Sequence, residues 1–134
     1  MEKKQYVNGY AFSFDEQNIV LIRKNRPAFM QGMLNAVGGK IEPGETPEEA
    51  IQREFREETG MDVVRWKKFL VHESDNHVLH CFTATVDVWK AASVTDEQVT
   101  VIKVGDYDGC IPNLRWMVPM ALDPEVVAST VIVK

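Results

Sequence analysis

Cysteine is nearly absent from this chain. Cys81 and Cys110 are the 2 cysteines among 134 residues; they form no CxxC pair and do not amount to a disulfide framework. Free thiols in a reducing, cytoplasmic compartment are therefore expected. Long apolar runs are missing too. No stretch reaches the roughly 18 apolar residues of a membrane span, and Met1 to Tyr10 carries Lys3 and Lys4 without the apolar core of a secretory signal. Positive charge is in short supply: 15 Lys and Arg against 20 Asp and Glu leave a formal net charge of -5. That balance argues against duplex nucleic acid as the main partner, which needs a clustered excess of cations. It leaves room for anion binding through metal ions or a local basic patch. Repeats, linkers and low-complexity tracts are lacking as well, so one domain over residues 1–134 is expected.

What is present is an ordinary globular composition, 45% hydrophobic and 26% charged, with strand and helix signals in alternation. Gln5 to Phe14 and Ile19 to Ile22 flank the turn formers Asp15 to Asn18 and read as a hairpin. Arg23 to Pro27 ends the second strand, and a loop is expected through Asn35. In Ala36 to Glu45, three glycines and a proline predict a looped backbone. Thr46, Pro47, Glu48 and Glu49 then write a capping box with Pro at the first helical position, and Gly60 stands where a left-handed C-cap belongs. A helix from Pro47 to Thr59 follows. Val63 to Glu73 and Val78 to Trp89 predict a second hairpin about Ser74 to His77, and Val99 to Val104 a half-buried strand. Asn113 is placed to cap a helix through Leu122, bent at Pro119, with a last strand in Val126 to Val133. The fold class is α+β, a mixed sheet flanked by helices.

Within the first helix Glu54, Glu57 and Glu58 stand at i, i+3 and i+4, so three carboxylates share one face. Like charges at i,i+4 destabilise an isolated helix by about 0.2–0.5 kcal/mol, and a divalent cation reverses that sign. Oxygen-only donors favour Mg²⁺ or Mn²⁺ over zinc. An acidic triplet alone is usually a solvated face. This one sits in a longer pattern: Gly39, five residues on Glu45, then Arg53-Glu54-Phe55-Arg56-Glu57-Glu58-Thr59-Gly60-Met61. The segment Gly39 to Met61 resembles the catalytic box of the Nudix (MutT-like) hydrolases. Every fixed Gly, Glu and Arg of that box is present; Phe55, where a smaller aliphatic is usual, departs from it in packing only.

The resemblance implies a Nudix fold, an α/β/α sandwich, and a Mg²⁺-dependent attack of water on the diphosphate of a small nucleotide. It implies Glu57 and Glu58 as main metal ligands and Glu54 as ligand or water-activating base. The Gly38 carbonyl is a further ligand, and Arg53 braces Glu45 and the helix. A fourth carboxylate from outside the box is assigned to Glu97, an exposed acidic turn being the competing reading. Arg23 and Lys40 stand as phosphate or ribose contacts against simple solvated cations. Asn113 stands as a base-reading amide against a mere helix cap.

His72, His77 and His80 lack the spacing of a zinc site and read as exposed turn residues, and Trp116 and Met117 read as core. The expected activity is that of a (deoxy)nucleoside triphosphate pyrophosphohydrolase, acting as monomer or homodimer. ADP-ribose hydrolysis is the alternative, and a non-catalytic ligand sensor is the alternative of another class. An mRNA-decapping role is disfavoured by the charge.

Overall fold

The computed structural model describes residues 2–127 and 129–133. Strands β1 (Lys4–Phe12) and β2 (Asn18–Arg23) form the expected hairpin, with Ala11 opposite Val20 and Phe12 opposite Ile19. Its turn is held by Asp15, whose carboxylate accepts from Ser13 Oγ at 2.6 Å and from the Gln17 backbone N–H at 3.1 Å. Beyond that short ladder the two strands splay. The fork is filled by β3 (Leu34–Asn35), paired to β2, and β4 (Val37–Lys40), paired antiparallel to β1 with Gly38 opposite Asn8. The stretch from Ala36 was expected to be loop, and its first half is strand instead. Gly38 and Gly39 serve close approach, while Gly44, at φ 81°, serves the turn before the next element. A Cβ on Gly38 would fall on the backbone of Val7 and Asn8, so only a bare Cα lets β4 lie there.

On the other side of β1 runs β6 (His77–Thr85), parallel to it from Lys4–His77 to Phe12–Thr85. The strand β5 (Lys67–Glu73) pairs antiparallel with β6, and β8 (Ser129–Ile132) lies parallel to β5. The strand β7 (Val99–Lys103) closes the other edge against β2. Among the described residues these make one mixed sheet of eight strands. The second hairpin is shorter than its composition suggests, because β5 starts at Lys67 and β6 stops before a 3-10 turn at Val88–Lys90.

The helices α1 (Pro47–Thr59) and α2 (Leu114–Leu122) cover opposite faces. Strand alternation sends Tyr10, Phe12, Ile19 and Leu21 to α2, where they meet Leu114, Met117, Val118 and Ala121. The intervening Ala11, Val20, Ile22 and Val37 meet Phe55 of α1, and Val7 and Phe82 meet Ala50 and Ile51. This is the expected α/β/α sandwich. Phe55 is fully buried, edge-on to Trp66 at 5.2 Å between centroids, a burial that stabilises by about 1.5–3 kcal/mol.

Both ends of α1 match their sequence signals: Thr46 Oγ1 accepts from the Glu49 N–H at 3.1 Å, Glu49 Oε1 accepts from the Thr46 N–H at 2.9 Å, and Gly60 has φ 78°. The start of α2 does not. Asn113 occupies the N-cap position in a helical conformation and its side chain makes no capping bond. On α2, Met117 is core as expected, but Trp116 is 44% exposed, because the apolar stripe of so short a helix passes through Leu114, Met117, Val118 and Ala121. Among the described residues no helix is long and apolar enough to cross a membrane.

Candidate active site

On α1 the buried positions Ile51, Phe55 and Thr59 recur at i+4, anchoring one stripe on the sheet. The next stripe carries Glu54 and Glu58 at its margin, and Glu57 lies further out. Exposure rises accordingly, from 13% for the Glu54 side chain to 53% for Glu57. Opposite Glu54 stands Gly39 of β4. A Cβ there would occupy the space taken by the Glu54 carboxylate, so the bare glycine is what leaves that carboxylate room against the sheet.

Arg53 ties the segment together. Its Nε and Nη2 grip Glu45 at 2.6 and 2.9 Å, and Nη2 also donates to the Lys40 carbonyl at 3.1 Å. Nη1 reaches Glu54 at 2.9 Å and Glu57 at 3.3 Å. One guanidinium thus binds the loop before α1, the end of β4 and the acidic face, a fork geometry that Lys cannot reproduce. The hydrogen bonds from Arg53 hold the Glu45 carboxyl below its ordinary range, and its partners keep Arg53 protonated throughout.

A second carboxylate cluster member comes from the loop before β7. Thr95 Oγ1 donates to Glu58 Oε2 at 2.9 Å and accepts from the Glu97 N–H at 3.2 Å, linking that loop to α1. Glu97 is buried, 7% exposed; its carboxylate accepts from the Asn25 N–H and pairs with Lys24 Nζ at 3.2 Å. Desolvation first, then the neighbouring charges, push Glu54 and Glu58 above the usual carboxyl range; Glu97 and Glu57 raise Glu58, while Glu57 and Glu58 raise Glu54.

The carboxylates of Glu54, Glu57, Glu58 and Glu97 outnumber Arg53 and Lys24, the cations paired with them, and all their donor atoms are hard oxygens. That arrangement fits a divalent cation of the Mg²⁺ type. Among the described residues no three His, Cys, Asp or Glu side chains are gathered closely enough to hold an ion as they stand. Glu54 and Glu58 are turned to Arg53 and Thr95.

A cleft of about 480 Å³, bounded by β1, the segment after β2, β4 and the start of β6, reaches Gly38 and Gly39. Its walls include Tyr6, Phe29, Met30 and Leu79, with Asn8 and Asn35 as polar groups and Lys24 and Arg26 as cations. The segment after β2, expected as featureless loop, supplies much of the wall. Its signal in the sequence was the aromatic and methionines among cations, Arg23 to Met33, without a period.

The remaining predicted site residues fall elsewhere. Arg23 turns its Nη1 to the Gly32 carbonyl at 2.6 Å and does not line the cleft, where Lys24 and Arg26 stand instead. Lys40 is exposed, and only its carbonyl takes part, as a partner of Arg53. Asn113 is likewise outside the cleft lining; its Oδ1 is buried and has no partner among the described residues. His72 stacks on His77 at 5.8 Å between centroids, and His80 Nε2 meets Gln5.

A family model described as the NUDIX domain matches residues 5–129. The chain belongs to the NUDIX family. An 8-oxo-dGTP diphosphatase of Proteus vulgaris is 29% identical over 92 residues, 66% of this chain and 81% of that protein. The Escherichia coli K12 protein of the same name is 45% identical over 47 residues, 35% of this chain and 36% of its own. Among solved structures, a MutT from work on Aliivibrio salmonicida and Vibrio cholerae is 25% identical, with TM-score 0.67 over 94% of both chains. The NUDIX domain of Shewanella oneidensis NrtR, solved with ADP ribose, has TM-score 0.71 over 90% of this chain and 87% of its own at 19% identity, a likeness of fold. With named hydrolases among its relatives, this NUDIX chain is a hydrolase of phosphoric anhydride bonds.

Proposed function

We propose that this domain, residues 1–134, hydrolyses (deoxy)nucleoside triphosphates to nucleoside monophosphate and pyrophosphate with Mg²⁺ as its cofactor. The observation that carries the reading is adjacency. A cleft with aromatic and apolar walls and two cations ends at Gly38 and Gly39, and the graded carboxylates of α1 begin there. Such a cleft suits a base and ribose on one side, leaving the phosphates at the acidic face. Its two cations and the 29% identity to an 8-oxo-dGTP diphosphatase support a triphosphate over ADP-ribose.

Glu57, Glu58, Glu97 and the Gly38 carbonyl would hold the metal, with Glu54 beside them. A bound Mg²⁺ would supply charge neutralisation of the diphosphate and acidification of water. Glu54, the most desolvated of the helix carboxylates and raised in pKa, is suited to accept the proton of the attacking water. Arg53 orients Glu54 and Glu57 and leaves the phosphates to the metal and to Lys24 and Arg26. Arg23, Lys40 and Asn113 remain secondary candidates for substrate contact. Buried free thiols at Cys81 and Cys110 suit a cytoplasmic protein.

The test is a panel of nucleoside triphosphates, an oxidised triphosphate and ADP-ribose with Mg²⁺ or Mn²⁺, products separated by chromatography. Monophosphate and pyrophosphate from triphosphates are expected. Cleavage of ADP-ribose alone would overturn the substrate reading, and no cleavage with either metal would leave a ligand sensor.

A further inference from the structure

Asn8 is an odd residue for the centre of a sheet. It lies in β1 between β4 and β6, opposite Gly38 on one side and Cys81 on the other, and it is 8% exposed. Asn is depleted at such positions because its side chain competes for hydrogen bonds that the ladder already satisfies. The fold uses one end of the amide: Nδ2 donates to Tyr10 Oη at 3.3 Å. The other end, Oδ1, is buried without a partner among the described residues. A buried carbonyl oxygen left unpaired destabilises the native state. Asn8 also lines the cleft, among the apolar and aromatic walls of Tyr6, Met30 and Leu79.

We propose that Asn8 is a specificity-determining residue, whose Oδ1 accepts a hydrogen bond from the exocyclic amino group of a purine base seated in the cleft. The proposal rests on the reading of that cleft as the nucleotide site. An acceptor recessed in the sheet is reached best by a donor that projects from a ring edge, and an amino group does so where a ring N–H does not. The bond is monodentate, since Tyr10 holds the amide's other end. A base lacking the amino group would leave Oδ1 buried and unpaired in the complex, and that difference is the source of discrimination.

Calorimetric titration with nucleoside monophosphates, in the absence of metal, tests this without turnover. The pairs are GMP with IMP, and AMP with purine riboside 5′-monophosphate, each differing by one amino group. In at least one pair the amino-bearing member should bind the wild-type protein about tenfold more tightly. Asn8→Leu should bring that ratio to within about twofold; it removes the unpaired acceptor together with the bond to Tyr10, so the ratio and not the melting temperature is the readout. Asn8→Asp, which keeps an acceptor, should retain the preference. Equal binding within both pairs by the wild-type protein overturns the proposal, as does tighter binding of the amino-free member, and neither result depends on how a variant folds. A ratio that survives Asn8→Leu also overturns it. Loss of the hydrolase reading shows separately, as an absence of products with Mg²⁺ while the binding preference persists.

Discussion

Gly39 and Glu54 share a space that admits only one of two groups, a carboxylate or a methyl, because a Cβ at residue 39 would lie within contact distance of all three atoms of the Glu54 carboxylate group. Gly38, one residue earlier, faces backbone instead. The two alanine variants should therefore fail differently. Gly39→Ala displaces the end of a flexible side chain, so the protein should fold with a melting temperature within a few degrees of wild type and lose about tenfold or more in kcat. Gly38→Ala presses on Val7 and Asn8 and should cost about 1–3 kcal/mol of stability in urea titration. Equal stability losses in both would mean that Glu54 is not free to move.

Glu57→Gln should fold as wild type, since the side chain is half exposed and no cavity forms, yet turnover should drop by about a hundredfold if this carboxylate holds the metal. Millimolar Mg²⁺ should raise the melting temperature of the wild-type protein by mass action, and raise it less in Glu57→Gln. Full activity of the variant at saturating Mg²⁺ would remove Glu57 from the ligand set.

Much of this site was legible because its local signals agreed with its global use. The capping box at Thr46, the left-handed Gly60 and the i+4 stripe of Ile51 and Phe55 are all short-range features, and α1 follows them residue by residue. The strand at Val37–Lys40 was not legible. Its glycines carry no strand propensity, and they pair because β1 and β2 splay and leave a gap that only a bare backbone fills. Asn8 was equally silent, since an amide within a strand pattern becomes notable only once its burial and its missing partner are known. Arg23 and Lys24 are adjacent cations that composition cannot tell apart; β-alternation turns Lys24 to Glu97 and the cleft, and Arg23 to Gly32.

The Arg53–Glu45 pair sets an acid limit on stability. Hydrogen bonds from Arg53 lower the Glu45 pKa in the folded state, so its stabilising contribution is fully present above the unfolded-state Glu value of about 4.3 and is lost as pH falls through the lower folded value. Metal-free wild type should lose melting temperature steeply in that acid window, and Glu45→Gln, less stable at pH 7, should lose less of what remains. Parallel pH profiles would show that Glu45 is not titrating against Arg53. Arg53→Lys, which keeps the charge but not the fork, should lower kcat by about tenfold to a hundredfold, since the second bond to Glu45 and the alignment of Glu54 go together.

Lys24 pairs with Glu97 at 3.2 Å inside a nearly closed setting, the two side chains 20% and 9% exposed. If Glu97 belongs to the metal site, the ammonium does in the metal-free protein part of what a divalent cation does in the loaded one. Lys24→Met keeps the length and apolar stem of the side chain and removes the charge, leaving the Glu97 carboxylate with the Asn25 N–H as its remaining partner. Without metal the variant should be less stable by about 1–3 kcal/mol, the cost of a buried charged acceptor short of a partner. Mg²⁺ should then recover more stability in Lys24→Met than in wild type, because the ion no longer competes with an ammonium for the same carboxylate and its apparent Kd falls. Thermal melts with and without Mg²⁺ measure the stabilities, and titration calorimetry with Mg²⁺ measures the affinity. A weaker Mg²⁺ affinity in Lys24→Met, or an unchanged one, would mean that Glu97 serves to hold the segment after β2 against the loop before β7, through Asn25 and Lys24, and takes no part in binding the metal.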